Sequence, residues 1–148
     1  MSVSAQPEGL APARQIWQVG ILAAVVAAVL NVVVYFIASA LGANFTFFPP
    51  EIPAPPFPLV VVGTTVIGVL AGTFVYTLMP RFSKRPVSTF RTVAIVVLVL
   101  SFAQPLLLVT GVFPVPEPIG IGTILALEIM HVIAGVLCIW LLTTRARA

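Results

Sequence analysis

Residues 16–41 read IWQVGILAAVVAAVLNVVVYFIASAL, a run without a charged side chain. Crossing a hydrocarbon core of about 30 Å takes about 20 apolar residues as helix, and this run is longer than that. In lipid every backbone N–H and C=O must be satisfied within the segment, which a helix achieves by itself. Comparable runs occupy about 59–79, 92–113 and 119–143. The chain therefore reads as an all-α polytopic membrane protein, a bundle of four transmembrane helices in a single membrane domain over residues 1–148. Residues 1–15 (MSVSAQPEGLAPARQ) are small, polar and Pro-containing, and are expected to form a disordered tail. A signal peptide cleaved after Ala38-Ser39-Ala40 is the rival reading of the first run. Its apolar stretch is longer than the roughly 7–15 residues of a signal core, so the first helix is expected to be retained.

Composition supports the same class. Hydrophobic residues make up 60% of the chain and charged residues 7%, against about 25% charged in soluble domains. A transmembrane barrel needs short alternating strands, and nothing here alternates. The single cysteine, Cys138, excludes an intrachain disulfide and a Cys-based metal cluster. The net charge of +3 is not a nucleic-acid signal, because the basic residues cluster at the ends of apolar runs. Arg14 precedes the first run, Arg81, Lys84, Arg85 and Arg91 separate the second from the third, and Arg145 and Arg147 follow the fourth. Positive residues collect on the cytoplasmic side, so both chain ends and the 80–91 loop are expected inside.

The first outer loop, 42–58, carries Pro49, Pro50, Pro53, Pro55, Pro56 and Pro58, which favour a stiff polyproline II path. Phe45, Phe47, Phe48 and Phe57 punctuate it. They read either as a docking surface for a partner's aromatic groove or, preferably, as side chains lying back on the helix ends. Pro114-Val115-Pro116-Glu117-Pro118 repeats the style in miniature.

Helices associate in lipid where small residues let backbones approach. Gly20, Ala24, Ala27 and Asn31 form such a stripe in the first helix. Gly68-x-x-x-Gly72, flanked by Thr65 and Tyr76, does so in the second. Ala94 and Ser101 serve the third helix, Gly135 and Cys138 the fourth. The same Gly-x-x-x-Gly pattern equally suits a homodimer face.

Asn31, Gln104, Glu128 and His131 interrupt otherwise apolar helices. At about 1.5 Å per residue they fall within roughly 5 Å of one level, near the midplane. Glu128 and His131, at i and i+3, share a helix face, and His131 is the nearest partner for the carboxyl. Pro105 removes a backbone donor and frees the Ser101 carbonyl. The first reading of this cluster is a polar fastener that sets helix register. A proton-handling or transport pathway through Glu128 and His131 is the second. A haem or chlorin held by His131 is the third; otherwise no cofactor is expected. A di-iron bundle needs a second Glu-x-x-His and more carboxylates than this chain has, and no metal site is predicted. The chain has no aspartate, a single histidine, no P-loop and no dinucleotide fingerprint, so no enzyme is expected. The expected partners are the bilayer and either further copies or a larger membrane complex.

Several stretches carry a resemblance: Asn31-Val-Val-Val-Tyr35, the Pro-rich outer loop, the second helix ending before Arg81, Thr92 to Pro105 with its internal proline, and Leu127-Glu-Ile-Met-His131. Together they resemble a family of small four-helix bacterial membrane proteins of unknown function, common in actinobacteria and related phyla. The resemblance covers nearly the whole chain and implies the fold and a multi-pass place in a bacterial plasma membrane. It implies no catalytic residue. The function expected is a non-enzymatic structural or accessory membrane component.

Overall fold

The computed structural model describes residues 9–51, 53–108, 110, 115 and 119–148. Its long helices are α1 (Ala13–Ala40), α2 (Phe57–Leu78), α3 (Pro86–Ser101) and α5 (Ile121–Arg145), and a short α4 (Ala103–Leu107) continues α3. Four spans are long and apolar enough to cross a membrane: α1, α2 with its terminal turn, α3 together with α4, and α5. No β-strand occurs among the described residues. The expected end of the third helix at 113 and most of the second Pro-rich loop lie outside the described residues, as do residues 1–8.

Local chemistry sets the ends of these elements. At the close of α1, Gly42 takes φ +90, the left-handed conformation that costs glycine least. The Gly42 N–H donates to Ser39 O (3.0 Å) and the Ala43 N–H to Ala38 O (2.9 Å). That pair of bonds is a Schellman motif, which satisfies carbonyls the helix would leave orphaned. Pro58 in the first turn of α2 lacks only a donor that the turn does not use. Pro80 then tightens the exit of α2 into a 3-10 turn, Met79–Arg81.

The third helix begins at Pro86, six positions before the expected 92. Arg91 had marked a loop, but a long cationic side chain can sit on a helix and reach the interface. The connection shrinks to residues 82–85, where Ser83 Oγ accepts the Arg85 N–H (3.0 Å) and lies 2.7 Å from Thr89 Oγ1. The span is also interrupted between α3 and α4, because Pro105 cannot donate to Ser101 O.

The expected disordered tail differs as well. Residues 9–11 pair with residues 146–148: Leu10 and Arg147 form an antiparallel bridge. The Ala11 N–H donates to Ala146 O (3.1 Å) and the Ala148 N–H to Gly9 O (3.0 Å). Tyr76 Oη donates to the same Ala146 carbonyl (3.3 Å), and Gln15 Nε2 to Arg145 O (3.1 Å). These bonds serve carbonyls at the end of α5. They also place residues 9–12 and 146–148 at one end of the bundle, hence on one side of a membrane.

α5 packs against every other long helix, and α1 packs chiefly on α5 and α2. The interior is built of small and hydroxyl-bearing residues: Ala23, Ala27, Thr73 and Thr123 are all fully buried. Large aliphatics point outward, among them Ile67 at 71% exposure and Leu100 at 67%. Water would penalise such an exterior; lipid does not.

Three glycines set the closest approaches. A Cβ on Gly20 of α1 would overlap the Thr73 side chain of α2. One on Gly72 would lie 2.9 Å from Cys138 Sγ of α5, and one on Gly135 of α5 2.8 Å from Leu98 Cδ1 of α3. Ala24 is buried beside them. Gly68 is placed otherwise: it is exposed, and an added Cβ would meet nothing within 4 Å. Its motif partner Gly72 alone faces a neighbouring helix.

The loop between α1 and α2 folds back on the bundle. Phe45 stacks on Phe57 at 5.0 Å, and Tyr35 of α1 lies 5.0 Å from Phe45 and 5.6 Å from Phe57. Phe47 adds a contact to Phe57 at 5.2 Å. Thr123 Oγ1, at the start of α5, donates to Asn44 O (2.7 Å) and pins the loop across the helix ends.

Candidate functional site: the intramembrane polar residues

The buried polar residues are positioned by α1, α2 and α5. Asn31 is 2% exposed, at the outer end of the small-residue face of α1. Its Nδ2 donates to Thr65 Oγ1 of α2 (3.0 Å) and to Met130 O of α5 (3.3 Å). One carboxamide thus joins three helices. Its Oδ1 is buried without a hydrogen-bond partner among the described residues.

Glu128 is half-buried, but both its carboxyl oxygens are fully enclosed and neither has a hydrogen-bond partner among the described residues. Its stem forms part of the wall of a groove of about 510 Å³, with Phe102 and Leu106 on one side and Leu125, Ile129, Val132 and Ile133 on the other. The groove presents only apolar surface, so Glu128 offers it methylenes and keeps its oxygens inside. A lone carboxylate at the bilayer centre costs about 3 kcal/mol. Among the described residues, no donor answers the two acceptor oxygens.

His131 does not pair with Glu128. Its Nδ1 lies 2.7 Å from Leu127 O in its own helix. A carbonyl only accepts, so Nδ1 is the donor in this contact. Gln104 sits on α4, exposed on the outer surface, and has no hydrogen-bond partner among the described residues. The four residues do not form one site: Asn31 faces inward, Glu128 and His131 do not pair on α5, and Gln104 faces out.

Thr65 completes the fastener around Asn31, yet it stands outside the strongly polar set that the sequence picks out. It lies about 4 Å from mid-α2 toward Phe57 at 1.5 Å per residue, so extending the depth count to hydroxyls is the signal that finds it. Thr73 and Thr143 are different. Their hydroxyls donate to Val69 O (2.9 Å) and Ile139 O (2.7 Å) of their own helices, and so are satisfied locally. No group of three or more His, Cys, Asp or Glu residues that could hold a metal ion occurs among the described residues.

What this arrangement can do chemically is limited and specific. It can lock α1, α2 and α5 in register through Asn31, and it can carry an ionisable group, Glu128, in an apolar wall. Neither a curated protein nor a solved structure matches the chain. A family model described as a family of unknown function (DUF6069) matches residues 11–148, from the terminal pairing segment through all four spans, and the chain belongs to that family.

Proposed function

We propose that the protein is a non-enzymatic component of a bacterial cytoplasmic membrane, acting through lateral association with other membrane-embedded chains. One observation carries this reading. Only 11% of the most apolar stretch of the α3–α4 span is buried within the chain, against 28% in each of the other three spans. Association in lipid runs on close packing and interhelical hydrogen bonds rather than on hydrophobicity. A span so little used by its own bundle has most of its surface available to another chain. The orientation proposed is N-in and C-in, because Arg14, the basic residues from Arg81 to Arg91, Arg145 and Arg147 lie toward the end where residues 9–11 meet 146–148. Extraction in mild detergent followed by native mass measurement is expected to give a species larger than one chain. Recovery solely as single chains from native membranes would overturn the proposal.

A second reading rests on Glu128, whose enclosed and unpartnered carboxyl is the kind of group that intramembrane proton pathways use. Under it, Glu128 is the group that takes up and releases the proton, and His131, three residues on along the same helix, is the next ionisable group. Vesicles containing the protein would dissipate an imposed pH gradient, and Glu128→Gln would abolish that flux. Absence of flux with the unmodified chain would count decisively against this reading.

A further inference from the structure

The outer face of the third span has a regular pattern that the four-helix unit does not use. Val93, Val97, Leu100, Gln104 and Leu107 follow one another at intervals of four, three, four and three residues. That is the spacing of a heptad seam. All five are exposed: Val97 at 59%, Leu100 at 67% and the others to a lesser or similar degree. The seam runs through the α3–α4 junction, where Phe102 keeps helical angles (φ -66, ψ -21). Within it Gln104 is the lone strongly polar group, an amide with two donor hydrogens and an acceptor oxygen and no partner among the described residues.

We propose that this seam is where two copies of the chain pair, with Gln104 of each bonded to Gln104 of the other. This deepens the association reading above and rests on it. The choice of a second copy follows from geometry. All copies in one membrane share an orientation, so their third spans can only pair in parallel about a two-fold axis along the membrane normal. In that pairing each seam residue meets its own counterpart, and the two amides meet at one depth. An amide is self-complementary, because the N–H of each answers the C=O of the other. A different chain would have to bring its own polar group to that level. Arg91 lies off the seam, so the pairing brings no guanidinium against its twin.

The test uses the full chain in native membranes, with a photocrosslinking residue in place of Val97 or Leu100 and, as a control, in place of Ile67, which is 71% exposed on α2. Adducts of twice the chain mass are expected from Val97 and Leu100 and not from Ile67. Gln104→Leu should lower the yield severalfold, and Gln104→Asn, which keeps the amide, should retain part of it. Equal yields from all three sites, or a yield untouched by Gln104→Leu, would overturn the pairing. Adducts of another mass from the seam would overturn self-pairing and leave the broader association reading standing. No adduct from any of the sites would remove both.

Discussion

Gly20→Val is expected to cost the folded bundle about 3 kcal/mol or more, the upper range for forcing extra methyl groups into a packed interior. A Cβ at this position falls on the Oγ1, Cγ2 and Cβ atoms of Thr73. Thr73 cannot easily yield, being fully buried with its hydroxyl donating to Val69 O at 2.9 Å. Relief requires α1 and α2 to separate, which loosens the face that also holds Asn31 against Thr65. Gly68→Val in the neighbouring helix is the matched control. Its added atoms enter open space, and the expected change is within about 0.5 kcal/mol. Unfolding curves in mild detergent, with helicity followed as SDS is titrated in, measure both. Equal sensitivity of the two variants would refute the assignment of Gly20 to the helix contact and Gly68 to the exterior.

The second large effect is expected at Tyr76. Tyr76→Ala should destabilise the protein by about 3 kcal/mol, as truncating a fully enclosed aromatic ring does. The ring is 0% exposed and meets Phe90 of α3 edge-on, with centroids 4.8 Å apart and planes at 70°. Tyr76→Phe keeps the ring and removes the hydroxyl that donates to Ala146 O, so about 1 kcal/mol is expected. The two variants separate packing from hydrogen bonding at one position. The same SDS titration reports the energies, and carboxypeptidase digestion reports whether residues 146–148 have come free. A Tyr76→Phe variant as unstable as Tyr76→Ala would mean that the hydroxyl, not the ring, carries the position.

These two residues also mark how far the sequence can be read. The four spans were legible because length and apolarity are properties of the chain itself, independent of what packs where. Azimuth was not. Asn31 and Gln104 both interrupt apolar helices, yet the first is buried among three helices and the second faces outward. Nothing in the apolar sequence around each says which side its neighbours occupy, because lipid and a helix interior accept the same aliphatic residues. Gly68 and Gly72 repeat the lesson: small-residue spacing permits close approach without saying from where. The Glu128–His131 spacing identified a shared face but not a bond, since the imidazole found a carbonyl in its own helix at 2.7 Å. α3 starts ahead of the charge-marked boundary because Arg91 sits on the helix and not at its end. The pairing of residues 9–11 with 146–148 left no trace in composition, because backbone hydrogen bonds have no side-chain signature.

That pairing has a consequence for biogenesis. The Ala11 N–H beside the first span finds its acceptor on Ala146, after the fourth, so the partner does not exist until the fourth span has been synthesised. α1 rests on α5 as heavily as on α2, and α5 follows the other three spans along the chain. The early span must therefore wait in the bilayer with its small-residue face and Asn31 uncovered. Completion of the bundle is a late, long-range event, with the entry segment sealed only once the fourth crossing has been made.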